Sequence, residues 1–212
     1  MLKSYVSPYP VEPNLQTYRS GQRYGLMAVT SGVTTAAVTG GAGGAANSPI
    51  YACPLPVRRT VTISGLELLV GAAVVSVTGK MALYQGDLLA GNGTLVAACS
   101  GTADMNSGAN NAIALSFSSN QTLAPGLYWA CSMFDGAAQP YTLSSNTHPF
   151  GELGQFIGAP TVAGLIRTTL AVQALRVTSA NQDYTVGFPA SFGTATVGLG
   201  SPGSPYIAMV VA

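Results

Sequence analysis

The chain carries seven carboxylates and one histidine, and their spacing decides whether it is built for catalysis. A glycosidase needs two carboxylates facing each other across a cleft, and no two of the seven are close in the sequence. A Ser–His–Asp triad would need His148, which lies in the loop-type sequence Thr147–Pro149, and no serine has a GxSxG context. We therefore predict no catalytic residues and no enzymatic activity. The carboxylates are Glu12, Glu67, Asp87, Asp104, Asp135, Glu152 and Asp183.

Metal and cofactor signals are equally weak. The glycine-rich run 40–44 lacks the GK[ST] of a phosphate-binding loop. Asp104 and Asp135 lie in turn sequences and carry oxygens that Ca²⁺ uses, but a single turn aspartate is usually structural. The cysteines lack CxxC spacing and have apolar neighbours, so we expect buried free thiols in a reducing compartment. The sequence predicts neither a metal nor a cofactor. The cysteines are Cys53, Cys99 and Cys131.

Charge is scarce, because Asp, Glu, Lys and Arg make up 7% of the chain where a soluble domain averages roughly 25%. The formal net charge of +1 argues against a general nucleic-acid or anionic-membrane binder, which needs a basic patch. Arg58-Arg59 is the one adjacent basic pair, and a solvent-facing strand end is favoured over a phosphate contact. Such a chain must bury its apolar faces in a core, in neighbouring subunits, or in both.

No membrane span or signal peptide is predicted. The charge-free stretch Tyr24–Val57 contains a glycine run, and the stretch Tyr184–Ala212 is broken by prolines, whereas a spanning helix needs about 20 predominantly apolar residues. Lys3 is followed by prolines and Glu12 rather than by an apolar segment. We expect a protein made, and at first kept, in the cytoplasm.

The N-terminal region differs from the rest of the chain. Residues 1–24 are rich in Pro and Tyr, which favours extended backbone. A disordered leader is one interpretation; the other is an arm that docks on a neighbour through rigid tyrosines, a residue type enriched at interface hot spots. Residues 25–49 are predicted as a strand and Gly-rich connection, and residues 50–212 as the main domain. The predicted contact residues of the arm are Tyr5, Pro8, Tyr9, Pro10, Tyr18, Arg19 and Arg23.

The main domain shows strand periodicity. Val61 and Ile63 alternate with polar residues, and the apolar phase shifts after Gly65, which predicts a β-bulge. Residues 112–118 alternate cleanly, with Ile113, Leu115 and Phe117 inward. Residues 127–134 are apolar on both faces, which predicts a central strand buried on two sides and places Trp129 in the core. Further strands are predicted at Lys80–Tyr84, Leu170–Val177 and Ile207–Val211.

Short strands with Gly/Pro turns and hardly any helical periodicity indicate an all-β fold. We predict a jelly-roll-like antiparallel β-sandwich with an extended N-terminal arm. The one stretch with possible helical character, Ala163–Ala174, contains two adjacent threonines and is predicted as a strand.

Several segments resemble a β-sandwich module of tailed-bacteriophage virion proteins. Tyr51–Leu68 is similar to the module's YAxPFxVPR strand and the TFDRIGVxV strand that follows it. Lys80–Tyr84 resembles its RLGIY strand, and Asp87–Gly93 resembles its GLPGxLL turn in altered order. Leu123–Ala130 is close to LPPGLYWLA. Phe134–Ala137 resembles xDGAPT, and residues 184–192, YTVGFPASF, are similar to YTYGALPATF.

The resemblance covers residues 50–212 and implies a structural or attachment protein of the virion, without catalytic residues. The expected role is a capsid decoration or cement subunit, similar to head-fibre proteins. Its arm would bind the major capsid protein or another virion subunit, and it would form a homo-oligomer, with a trimer favoured. The alternative is a tail-fibre or baseplate module that recognises host surface glycan. The helical repeats of long fibres are missing, which argues against a fibre shaft. The expected location is the virion, assembled in the host cytoplasm, with neither nucleic acid nor membrane as a partner.

Overall fold

The computed structural model describes residues 18–24, 33–35, 48–88, 91–143, 172–177, 183–192, 196–199 and 204–212. Within these residues the protein is all-β, and no residue is helical. All paired strands are antiparallel, as the sequence predicts. The strands are β1 Arg23–Tyr24, β2 Val33–Thr35, β3 Ile50–Val57, β4 Val61–Leu69, β5 Thr78–Gln85, β6 Gly93–Ala98, β7 Ala103–Asp104, β8 Ala112–Leu123, β9 Gly126–Phe134, β10 Tyr141–Leu143, β11 Val172–Val177, β12 Ser191–Phe192, β13 Thr196–Leu199, β14 Ser204–Pro205 and β15 Ile207–Val211.

Two main sheets enclose an apolar core. The smaller sheet has the order β1-β15-β4-β8, and the larger has the order β12-β6-β5-β9-β3-β11-β13 with β7 paired to β5. Inward side chains of both sheets form one buried cluster, in which Leu55 and Leu83 of the larger sheet join Ile63, Leu115 and other residues of the smaller. Burial of this cluster removes apolar surface from water, which is the main driving force for such a sandwich.

Strand β9 is buried on both faces, as its sequence predicts. It lies between β5 and β3 in the larger sheet, and its residues from Tyr128 to Phe134 are all buried. Tyr128 and Phe134 contribute to the core between the sheets, while Trp129 belongs to a second apolar cluster on the other face of the larger sheet. Trp129 is only 3% exposed, which confirms it as a core residue.

The predicted bulge in β4 is present. The register of β4 against β8 shifts between Ile63 and Gly65, and the register against β15 shifts at the same place. Gly65 lies so close to β8 that an added Cβ would be 2.2 Å from the Leu115 carbonyl oxygen. Only a residue without a Cβ allows this approach, so the glycine fixes where the bulge forms.

The other strand predictions are confirmed where the structure describes them. Inward Leu115 and Phe117 are buried in β8, and their outward neighbours are exposed. The predicted strands at Lys80–Tyr84 and Ile207–Val211 correspond to β5 and β15, and residues 172–177 of the predicted strand Leu170–Val177 form β11. The sequence did not predict the strands β6, β7, β10, β12, β13 and β14. Most of the ambiguous stretch Ala163–Ala174 lies outside the described residues.

Two strands from the N-terminal part pair with the main domain. β1 pairs with β15, and β2 pairs with β10 in a small third sheet of order β14-β10-β2. The residues of the predicted arm from Tyr18 onward are therefore part of the sandwich, while residues 1–17 lie outside the described residues. The jelly-roll connectivity stays a prediction. Within the described ranges, no helix has the length and apolar character needed to cross a bilayer.

Candidate functional site

The described end of the predicted arm is attached to the smaller sheet by backbone and side-chain bonds. The Gly21 amide donates to the Val211 carbonyl at 2.9 Å, beside the pairing of β1 with β15. Arg23 forms an ion pair with Glu67 at 2.8 Å and also donates to the Gly21 carbonyl. Arg23, predicted as a partner contact, thus holds the chain against its own sandwich.

Two tyrosines complete this attachment. The Tyr18 and Tyr24 rings meet edge to face, with centroids 5.0 Å apart, and both pack against the core between the sheets. The Tyr18 hydroxyl accepts a hydrogen bond from the Arg58 amide at 3.2 Å, and the Tyr24 hydroxyl accepts one from the Arg19 amide at 3.1 Å. These bonds fix the chain beside the turn between β3 and β4.

The predicted contact residues therefore divide into two groups. Tyr5, Pro8, Tyr9 and Pro10 lie outside the described residues. Tyr18, Arg19 and Arg23 come together on and beside β1, and of these three only Arg19 extends an exposed side chain that makes no ion pair in the described part of the chain. Their role in binding a partner stays a prediction.

Three exposed arginines gather at one end of the sandwich, which we call the arginine end. Arg58 and Arg59 lie in the turn after β3, and Tyr18 brings Arg19 to the same turn. All three are exposed, and the described residues contain no ion pair to any of them. Asp87, in the turn after β5, is the one acidic side chain that the described residues place at this end.

The opposite end, which we call the acidic end, gathers aspartates. Asp104 in β7 pairs with Thr78 at the start of β5, and Asp135 accepts two hydrogen bonds from Thr78, both 2.7 Å. Asp183 accepts two bonds from Thr185, which lower the pKa of its carboxyl. Lys80 lies beside these groups and donates to the Tyr184 carbonyl. Arg176 of β11 pairs with Tyr51 near the start of β3, which is the half of the larger sheet closer to the acidic end.

Residues 183–192, which we call the strap, cover the outer face of the larger sheet. The Lys80 ammonium donates to the Tyr184 carbonyl at 2.7 Å and lies 4.5 Å from the Tyr184 ring centroid. The Tyr84 hydroxyl donates to the Pro189 carbonyl at 2.6 Å. The strap ends in β12, which pairs with β6. Polar bonds therefore hold both halves of an otherwise irregular segment.

Beneath the strap lies the second apolar cluster. Tyr184 and Phe192 of the strap join the side chains of β5, β9 and β3 that point away from the first core, and Phe188 packs against them. The Phe192 and Phe188 rings both meet the Tyr84 ring edge to face, at 4.9 and 6.3 Å. The central strands β5, β9 and β3 of the larger sheet are therefore buried on both faces, which explains the apolar character of β9.

The cysteine thiols of the described residues are not activated for chemistry. Cys53 and Cys131 are buried, as predicted, whereas Cys99 is only half-buried. Loss of solvent contact raises the pKa of the Cys53 and Cys99 thiols to about 12, and it raises the pKa of Cys131 well above its usual value. These thiols are protonated at neutral pH and are poor nucleophiles. In the described residues no three of His, Cys, Asp and Glu are grouped as metal ligands. His148 and Glu152 lie outside those residues.

A sugar-binding platform would need exposed aromatic faces. Trp129 is buried and donates its indole N–H to the Gly86 carbonyl at 2.9 Å. Tyr141, Phe150 and Tyr206 are further aromatic candidates for such a platform. The Tyr141 hydroxyl donates a hydrogen bond to the Asn110 side chain. Tyr206 is half-buried, and this burial raises the pKa of its hydroxyl. Phe150 lies outside the described residues.

Comparison with known proteins gives no relative: neither a protein-family model, nor a curated protein sequence, nor a solved structure matches the chain.

Proposed function

We propose that the protein is a structural subunit of a tailed-bacteriophage virion that decorates the capsid and binds the shell through its N-terminal arm. The observation that carries this proposal is the arrangement of the segments that resemble phage modules. Tyr51–Val57, Lys80–Tyr84 and Leu127–Ala130 form the adjacent strands β3, β5 and β9. Residues 184–192 form most of the strap over these same strands. A shared module would require these segments to lie together in this way.

The scarcity of ion pairs among the described residues supports a role in an assembly. Its one described ion pair joins Arg23 to Glu67, and most other polar side-chain bonds use hydroxyls, amides or backbone groups. A free soluble protein usually covers its surface with mixed charges. A subunit that is held in a shell has less need of them, because neighbouring subunits cover part of its surface.

The proposal is tested by copy number. Purified particles of a phage that encodes the chain would be analysed by quantitative mass spectrometry with labelled peptide standards. Hundreds of copies per particle are expected for a capsid decoration protein. A dozen or so copies would support the alternative, a tail-fibre or baseplate module, and absence from the particle would refute a virion role.

The arm is tested by a truncation that respects the sheet. Removing residues 1–17 leaves Tyr18–Tyr24, and with it the pairing of β1 with β15, in place. If the arm binds the shell, the truncated protein folds normally but occupies fewer sites on particles that lack the native protein. Unchanged occupancy would show that residues 1–17 are not the anchor. Light scattering of the full chain tests the proposed trimer independently.

A further inference from the structure

We propose that the arginine end is a docking surface for a partner protein whose contact face is rich in carboxylates. The identification of that partner as a capsid protein rests on the proposed function above. The chemistry of the surface does not, since it follows from Arg19, Arg58 and Arg59 alone.

The first argument is the placement of charge. Lys and Arg number 8 in 212 residues, yet three of them meet at one end of the sandwich. All three are exposed, and the described residues offer them no ion-pair partner. Two other basic side chains that the structure describes do have partners within the chain: Arg23 pairs with Glu67, and Lys80 binds the strap. The arginines at this end are therefore available to another molecule.

The second argument is rigidity. Arg58 and Arg59 follow β3, a central strand buried on both faces, and precede β4, which is paired on both edges. The Tyr18 hydroxyl accepts a bond from the Arg58 amide, so the backbone of this turn is fixed from a second direction. A surface held in this way loses less conformational entropy on binding, which favours affinity and specificity.

The chemistry of arginine selects the partner. The guanidinium group presents a planar fork of donors that matches a carboxylate or a phosphate. A nucleic-acid site of ordinary affinity neutralises about 6–10 phosphates, and three arginines with Asp87 beside them fall well short of that. Arginine and tyrosine are enriched at protein–protein hot spots, and Tyr18 stands beside the three arginines. Carboxylates of a protein are therefore the better match.

The acidic end determines which way the subunit faces a carboxylate-rich partner. Asp104, Asp135 and Asp183 lie at the far end of the sandwich. A carboxylate-rich partner attracts the arginine end and repels the acidic end. Such complementarity steers encounter and selects orientation more than it adds affinity. The subunit would bind with the arginine end inward and the acidic end outward.

The experiment compares two double variants of the full chain with the same net charge. Arg58→Gln with Arg59→Gln removes two positive charges at the arginine end, taking the formal net charge from +1 to −1. Ala73→Glu with Val75→Glu adds two negative charges in the exposed loop between β4 and β5, at the far end, and reaches the same net charge. Thermal unfolding verifies that both variants fold. The probes are immobilised poly-L-glutamate, immobilised duplex DNA and phage particles that lack the native protein.

The glutamine variant is expected to lose about five-fold in affinity for poly-L-glutamate at low salt, while the far-end variant loses less than two-fold. Equal losses would show that only net charge matters and would overturn the proposal. Tighter binding to DNA than to polyglutamate, dependent on Arg58 and Arg59, would make the partner a nucleic acid and also overturn it. If the polyglutamate result holds but the native chain fails to bind particles, the virion function is refuted and the docking surface stands.

Discussion

We predict that the strap opens without unfolding of the sandwich, and removal of the Tyr84 hydroxyl tests this prediction. Tyr84→Phe keeps the ring in the second apolar cluster but removes the 2.6 Å bond to the Pro189 carbonyl. A bond of this kind contributes about 1 kcal/mol to stability. The bond is lost whenever the strap lifts, so its removal should make strap opening about five-fold more frequent, since about 1.4 kcal/mol corresponds to a factor of ten.

The cysteines report this opening. Cys131 lies in the cluster beneath the strap, whereas Cys53 is fully buried on the opposite face of the larger sheet. When closing is faster than labelling, the rate of thiol labelling follows the population of the open state. Labelling of the native protein, read for each cysteine by peptide mass spectrometry, should accelerate about five-fold at Cys131 in Tyr84→Phe and remain unchanged at Cys53.

Tyr128→Phe is the matched control. Its hydroxyl donates to the Ala124 carbonyl at 3.1 Å in the turn before β9, and its ring packs in the core between the sheets. The substitution removes a similar bond without touching the strap, so Cys131 labelling should stay at the native rate. Equal acceleration of Cys131 in both variants, or equal acceleration of Cys53 and Cys131 in Tyr84→Phe, would refute independent opening of the strap.

Two further perturbations test the fold and the strap. Gly65→Ala should cost about 3 kcal/mol and lower the melting temperature by roughly 10 °C, because the new methyl group meets the Leu115 carbonyl oxygen. Gly126→Ala should have little effect in the same calorimetric scan, because its methyl group would meet only the Tyr128 ring, at an ordinary van der Waals distance of 3.8 Å. The bonds from Thr185 lower the pKa of Asp183 below its ordinary 3.8, so the carboxylate stabilises the strap above that pH and the effect is lost as pH falls through the lowered pKa. Loosening of the strap in acid should change the fluorescence of Trp129, which lies beneath it. Asp183→Asn should abolish this change, and an unchanged acid transition would show that Asp183 is not the titrating group.

Local pattern was enough to predict the strands that line the cores. The alternation in β8, the two-sided apolar sequence of β9 and the phase shift at Gly65 all follow from the period of two that a strand imposes. Each of these signals depends on neighbours a few residues apart, so the sequence displays it directly. A residue such as Trp129 could be placed in the core for the same reason.

The strap and the arginine end could not be predicted in the same way. Tyr84 and Pro189 are 105 residues apart, and the strap has no regular period because most of it is not a strand. Its aromatic residues are the one signal that the sequence carries for its burial. Their target, the outer face of β5 and β9, becomes apparent only after the sheet order is known.

The net charge of +1 hides the fact that three arginines and three aspartates lie at opposite ends of the sandwich. Arg19 is 40 residues from Arg59, and it reaches the same end only because β1 pairs with β15 and the Tyr18 hydroxyl meets the Arg58 amide. Low overall charge excludes strong, non-directional attraction to polyanions. It does not exclude a directional surface, and in a chain with few charges each unpaired one has more influence on orientation. The composition that argues against a general nucleic-acid or anionic-membrane binder is therefore the same composition that makes the arginine end selective.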